Sequence, residues 1–410
     1  MTLREEADVI VKEAIKKVLP DEAVKSALND RKFDTGKLYV VAAGKAGWQM
    51  MKTAADVLKD RIESGICITK YEHVKEPIPG IICMEAGHPV PDENSFAATQ
   101  TAIEMVENLK KEDTVIFLLS GGGSALFEKP LVSGDELADV TKQMLACGAD
   151  ITEMNTIRKR LSAVKGGRFA KICEPAHVYT VILSDILGDP LDMIASGPAF
   201  PDSSTCEQAL AVIKKYQLRL SDAAMNFIKQ ETPKELSNVE TVINGSVRNL
   251  CKAVEMECSR LGYETIFLTD QLSCEAKAAG EFLAAIARSH QSSEKSLAFI
   301  AGGETVVHVT GNGIGGRNQE LALASAPGIS GLKETAIFSF GSDGTDGPTD
   351  AAGGYCDNET KKVLEEKNID IYQTLKNNDA YSALKESAGL IMTGATGTNV
   401  NDAAVILIRR

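Results

Sequence analysis

Short apolar, β-prone runs alternate with amphipathic helical stretches along this whole chain, and that alternation constrains its fold more than any other feature. KLYVVAA at 37–43 is the first such run, followed by Gly44-Lys45-Ala46-Gly47 and a helix with Trp48, Met51, Ala55 and Leu58 on one face. GICIT, IICMEA, TVIFLLS and HVYTVILSD continue the series, with helices predicted around 93–110, 134–147 and 205–216. After the charged, Pro-containing stretch KQETPKELSN at 229–238 the pattern restarts with VETVING, a helix at 246–261, YETIFLTD and a helix at 275–288. SLAFIAGGETVVHVTG reads as two strands about a Gly-Gly turn, which would place His308 in a strand. ETAIFSFGSDG is a further strand, and AAVILIRR closes the chain as the last. Strands alternating with helices predict an α/β fold with a largely parallel sheet.

A chain of 410 residues exceeds one ordinary core, so two α/β domains are expected, 1–236 and 237–410, with 229–238 as the linker. No repeat of 20–50 residues is present. A formal charge of −13 and sparse aromatics argue against a nucleic-acid binder. Thr2 and Glu5 have capping-box spacing, and Ala7, Ile10, Val11, Ala14, Ile15 and Val18 form one helical stripe broken by charges, which is not a signal peptide. No apolar run reaches the ~18–20 residues of a membrane span. Nine cysteines without metal-type spacing read as free thiols in a reducing cytoplasm. Ser133 and Glu136 form a second capping box, so the helix after Gly123 is expected to begin only at 134, and Ser95 is a further helix cap.

Six loops rich in Gly, Ser, Thr, Asn and Asp, most of them following a strand, carry the chemistry: 44–47, 120–124, 184–198, 311–320, 341–354 and 393–402. Ligands of open α/β sheets bind beyond the carboxyl ends of strands, although any one such loop is as readily a plain turn. The run Ser120-Gly121-Gly122-Gly123-Ser124 suits backbone that approaches an anion and offers it N–H groups. It is not a GxxxxGK[ST] loop, and no GxGxxG follows the first strand. Lys45 and Arg317 each open a helix, where a cation is disfavoured unless an anion lies between it and the helix dipole. The alternative is a pair of solvated surface cations. Asp185, Asp189 and Asp192 share one loop and Asp343, Asp346 and Asp350 another; carboxylates at strand ends hold Mg²⁺ or take a proton from an alcohol, and about half of these six are expected to be Asx turns. His88, ahead of Pro89, could be catalytic but reads more readily as structural.

AAGKAG, AGHPVPDENS, LLSGGGSALFEKP, MNTIRKRLSAVKGGRFA, SDILGDPLDMIASGP, GGETVVHVTGNGIGGRNQELAL, FGSDGTDGPTDAAGG and TGATGTNVND occur in this order, and through them the chain closely resembles the class II glycerate kinases, or glycerate 2-kinases, with their C-terminal MOFRL domain. The resemblance implies a Rossmann-like three-layer N-terminal domain, a distinct α/β C-terminal domain, and an active site in the cleft between them. It implies phosphoryl transfer from ATP to D-glycerate, giving 2-phosphoglycerate, with Mg²⁺ or another divalent metal. Lys45 and Arg317 match the positions central to that family, and Asp185 and Asp343 join them as expected catalytic residues, for metal binding or for accepting the hydroxyl proton. Ser120, Gly121, Gly122, Gly123, Ser124, Asn155, Lys159 and Gly316 are the expected nucleotide contacts, with Arg158 and Lys165 as further phosphate candidates, and Asp189 and Asp346 the expected metal ligands. The expected partners are D-glycerate and ATP, without nucleic acid or membrane, and the chain is expected to be a cytoplasmic monomer or homodimer. Its members have also been labelled hydroxypyruvate reductases; that alternative needs a nicotinamide site, against which the missing GxGxxG counts. A non-catalytic sugar-acid or nucleotide-binding protein is the second alternative, for which two acidic clusters and two opposed cations would be superfluous.

Overall fold

The computed structural model describes residues 1–29, 31–33 and 36–410. Six strands build a first sheet: β1 (Leu38–Ala43), β2 (Ile62–Lys70), β3 (Ile81–Ala86), β4 (Thr114–Leu119), β5 (His177–Leu183) and β6 (Val239–Gly245). Their order is β3-β2-β1-β4-β5-β6, and β1 to β5 run parallel. Parallel strands are covered on both faces, which is why β1 and β4 are nearly continuous apolar runs rather than alternating ones. The helix Gly47–Leu58 covers this sheet with Trp48, Met50, Met51, Ala54 and Leu58. In this order the connections wind in opposite directions from β1 and β4, so the crevice beyond their carboxyl ends is where such a sheet takes its ligand.

The second sheet comprises β7 (Glu264–Leu272), β8 (Leu297–Gly303), β9 (Thr335–Gly341), β10 (Gly353–Asp357), β11 (Leu390–Ile391) and β12 (Asp402–Ile408), in the order β11-β10-β9-β12-β8-β7. Only β7 and β8 are parallel; β12 lies antiparallel between β8 and β9. Every residue of β8, β9 and β12 is buried. The expected hairpin at 296–311 does not form. β8 ends at Gly303 because the neighbour it pairs with is β12, with Gly303 opposite Asp402, and His308 lies in a loop.

The chain divides into two compact units, one of Ala23–Leu183 with Asp189–Asn244 and one of Met1–Glu22, Ser184–Gly188 and Gly245–Arg410. This differs from a single cut at 236/237. β6 belongs with the first sheet because β5 leaves it an open edge, seen in Val178 N–H donating to Asn238 O at 2.7 Å. The stretch 229–238 is packed rather than free: buried Thr232 donates to Asp202 Oδ2 at 2.7 Å and buried Asn238 donates to the carbonyls of Ala170 and Ala176 at 3.0 Å each.

The helix Leu3–Lys17 begins with the Thr2–Glu5 capping box. Its stripe of Ala7, Ile10, Val11, Ala14 and Ile15 is buried in the core of the second sheet, against Val254, Phe338 and Val405 among others. Arg409 bridges Glu6 at 3.1 Å, and the Tyr263 hydroxyl donates to the other oxygen of that carboxylate. Three helix starts differ from expectation. A short helix, Gly123–Leu126, directly follows the glycines. Ser133 caps its helix alone, because Glu136 accepts the Ser221 N–H at 2.9 Å instead. Ser95 completes the capping box of Asp92 rather than being the cap itself.

Ile10 is fully buried although it lies more than two hundred residues from the strands it packs on. Ile10→Ala is therefore expected to destabilise the unit of the second sheet by about 2–5 kcal/mol, measured by urea denaturation. A change within about 0.5 kcal/mol, the scale of a surface substitution, would remove the helix from that core.

Candidate functional site

At the carboxyl edge of the first sheet, Ala43 at the end of β1 pairs with Leu119 at the end of β4, so the loops that follow start side by side. They are tied together. Lys45 N–H donates to Gly121 O at 2.9 Å and Ala46 N–H donates to Ser120 Oγ at 3.1 Å. Gly44 has φ +128°, and a Cβ there would sit 2.2 Å from Ser120 Oγ, so only glycine permits this approach. Gly122 has φ +86°; a Cβ on it would meet His88 Cδ2 at 3.0 Å, His88 Nε2 at 3.1 Å and Lys45 Cγ at 3.1 Å. Three loops thus converge on one glycine.

Among the described residues, nothing accepts the amides of Gly121 and Gly122, and no carboxylate lies within 4.0 Å of the exposed Lys45 ammonium. The helix Gly47–Leu58 starts here with Ala46 as its N-cap and no side-chain cap. A cation, two open N–H groups and an uncapped helix start all favour an anion from outside the chain. His88 is half-buried, and its pKa is lowered by burial first and then by Lys45, Lys70 and His73, so it is neutral near pH 7.

The neighbouring expected nucleotide contacts have partners within the chain. Ser124 Oγ lies 3.1 Å from Ser196 Oγ, which donates to Asn155 Oδ1 at 3.0 Å, while Asn155 Nδ2 points at Met193 Sδ at 3.5 Å. Together they hold the turn 193–197, where Ala195 and Ser196 have φ of +50° and +62°. Lys159 is buried between Asp202 at 3.1 Å and Asp192 at 3.4 Å. Lys165 is buried against Glu128 at 2.7 Å, and burial lowers its pKa to about 8 against the opposing pull of Glu128. Arg158 donates to Ser124 O at 3.3 Å. Asp189, in the left-handed region at φ +50°, has a buried Oδ1 without a hydrogen-bond partner.

The second sheet carries its own cluster, at the edge where β8 and β9 end and β12 begins. Arg317 opens the helix Arg317–Ile329 and grips Asp402 through Nε at 2.5 Å and Nη2 at 3.0 Å, with Nη1 on Glu304 at 2.9 Å. Asn401 Nδ2 donates to Glu304 Oε2 at 3.2 Å and to the Asp185 carbonyl at 3.1 Å. Asp346 accepts the N–H groups of Asn318 at 3.2 Å and Gln319 at 2.9 Å, which makes it the carboxylate at this helix start. A Cβ on Gly316 would collide with that carboxylate at 2.2 Å, so glycine there serves Asp346 rather than a nucleotide. Burial pushes the Asp346 carboxyl up to about 6 against those two N–H groups. Asp343 is half-buried and accepts the Thr345 N–H at 3.0 Å. Burial acts to lower the Arg317 pKa, but Asp402, Glu304 and Asp346 raise it on balance.

The anion that a cation at a helix start demands is thus supplied to Arg317 by the chain itself. Asp402 and Glu304 escaped notice in the sequence; the only signal was a carboxylate abutting a strand. His88 was visible there but read as structural. Among the described residues no group of three or more His, Cys, Asp or Glu is arranged to hold a metal. Removing Arg317 leaves buried Asp402 uncompensated, and Arg317→Met is expected to cost about 1–3 kcal/mol in urea denaturation, less than a fully buried pair because Arg317 is partly exposed. The double variant Arg317→Met/Asp402→Leu is expected to recover most of that loss; no recovery would mean that Arg317 stabilises by packing alone.

The profile described as a domain of unknown function (DUF4147) matches residues 6–229, and that of the MOFRL family matches residues 297–402. The chain is 50% identical over 413 residues to a D-glycerate 2-kinase of Thermotoga maritima, covering 99% of each, and 39% identical over 435 residues to a glycerate 2-kinase of Pyrococcus horikoshii, covering 100% of this chain and 98% of that one. A crystal structure of a glycerate kinase from Thermotoga maritima superposes with a TM-score of 0.95 at 50% identity, covering 99% of each chain. No helix among the described residues is long and apolar enough to cross a membrane. With both family profiles matched and full-length likeness at this level, the chain belongs to the class II glycerate kinases, the glycerate 2-kinase family that carries the MOFRL domain.

Proposed function

We infer that this protein is a glycerate 2-kinase, which transfers the γ-phosphoryl group of ATP to the C2 hydroxyl of D-glycerate and yields 2-phospho-D-glycerate and ADP. The observation that carries the reading is the identity of 50% across 99% of both chains with a D-glycerate 2-kinase. The uncompensated Lys45 with the open amides of Gly121 and Gly122 supports it from the side of chemistry. Phosphoryl transfer needs positioning and charge neutralisation more than a strong nucleophile. Lys45 and the glycine amides hold an anionic group of substrate or nucleotide. Arg317, fixed by Asp402 and Glu304, presents its remaining guanidinium edge in a set orientation.

Mg²⁺, bound with the nucleotide, supplies further neutralisation of phosphate charge. Such an ion takes one or two protein carboxylates and otherwise phosphate and water, so a dedicated protein cluster is not required. Asp343, and Asp189 with its unpartnered Oδ1, fit that role; Asp346, with both oxygens on backbone N–H groups, fits it poorly. Asp185 and Asp343 are the carboxylates proposed for the metal or for the hydroxyl proton. Asn155 and Lys159 shape the turn beside the site rather than touch nucleotide. A cytoplasmic setting accords with nine free cysteines.

Incubation with D-glycerate, ATP and Mg²⁺ is expected to give the ³¹P NMR signal of 2-phosphoglycerate. Lys45→Ala is expected to lower kcat by about a hundredfold or more with the fold intact by circular dichroism. A 3-phosphoglycerate signal would overturn the regiochemistry. Consumption of NAD(P)H with hydroxypyruvate and no phosphorylated product would overturn the kinase reading itself.

A further inference from the structure

His88 follows β3, yet its imidazole closes the space that a Cβ on Gly122, which follows β4, would take, and the stem of Lys45, which follows β1, closes it too. The ring, the Lys45 stem and the open amides of Gly121 and Gly122 thus share one corner of the sheet's carboxyl edge. We propose that His88 is a third arm of the anion site of Lys45, Gly121 and Gly122, taking up one proton as a carboxylate or phosphate binds there; this rests on the kinase reading for the identity of the anion.

The charges facing the ring explain why a proton would arrive with the ligand. Lys45, Lys70 from the end of β2, and His73 from the turn after it act on His88, and all disfavour a further positive charge; burial disfavours it more strongly still. The carboxylate of its own loop, Asp92, is occupied by Ser95 N–H at 3.0 Å, Ser95 Oγ at 3.1 Å and the Tyr71 hydroxyl at 2.6 Å. The ligand-free ring is therefore neutral at pH 7. An anion placed between it and Lys45 reverses the sign of the local field, so the imidazolium becomes favourable. The sign follows by linkage: anion affinity is lowest above the midpoint of the bound form, rises as pH falls through it, and levels off below the midpoint of the free form.

The test is a pH titration of the histidine ring resonances of the full chain, alone, with saturating D-glycerate, and with a non-hydrolysable ATP analogue. The chain has five histidines, so the His88 signal is assigned by its loss in His88→Gln, or by elimination with the other four single His→Gln variants. The expected result is a free midpoint below about 6.5 that rises by about one unit or more with one ligand, a tenfold change in proton affinity. Movement with D-glycerate assigns the carboxylate, and movement with the analogue assigns a phosphate. Calorimetry should show His88→Gln binding that same ligand about tenfold more weakly below the free midpoint, with the pH dependence gone. A His88 signal unmoved by both ligands, or wild-type pH-dependent affinity in His88→Gln, overturns the proposal. Phosphorylation of glycerate with an unmoved His88 would overturn this inference alone, whereas a moving His88 without phosphorylation would overturn only the kinase reading.

Discussion

The close approach of Gly44 to Ser120 governs the carboxyl edge of the first sheet. No side chain larger than hydrogen fits at position 44, and without that fit the two loops could not exchange the bonds from Lys45 N–H to Gly121 and from Ala46 N–H to Ser120. Those bonds hold the backbone of Gly121 beside that of Lys45 and fix where the Lys45 stem leaves it. The parallel pairing of β1 with β4 brings the loops together, but it is the missing Cβ that lets them join. The glycine-rich run is thus needed for contact between backbones as much as for contact with a ligand.

The two helix-opening cations obey the same electrostatics and end in opposite states. Arg317 has a bidentate carboxylate, a second carboxylate and a helix start already capped by Asp346, so its charge is balanced within the chain. Lys45 has none of these among the described residues. A bidentate guanidinium held by two acids is stiff and directional, whereas an unpaired ammonium on a four-carbon stem adapts to what it meets. The first suits a fixed electrostatic wall and the second suits a group that follows a ligand through a reaction.

Much of this was legible in the sequence because the signals are local. The continuous apolar runs of β1, β4 and β5 announced a parallel sheet, and the Gly-rich loops after them announced its ligand edge. Where the sequence misled, the deciding partner was remote. VETVING has the pattern of a strand, but only the open edge of β5 assigns it to the first sheet. GGETVVHVTG has the pattern of a hairpin, but β12, a hundred residues on, takes the place its second strand would have filled. The capping pair Ser133 and Glu136 was half right because Ser221 N–H competes for Glu136. Asp402 carried only the weak signal of a carboxylate abutting a strand, since its meaning comes from Arg317 across a separation of 85 residues.

The placement of the first helix bears on the order in which the molecule can be made. Residues 1–22 leave the ribosome well before β9 and β12, yet both of those strands share a core with their apolar stripe. The sheet of β1 to β6 has all its strands once residue 245 has emerged, while the stripe of Ile10, Val11 and Ala14 still lacks its partners. The nascent chain therefore carries an exposed amphipathic helix through most of its synthesis. Closing the second core joins segments far apart in the sequence, tied by Arg409 on Glu6 some four hundred residues away. Such a closure is slow by its loop entropy.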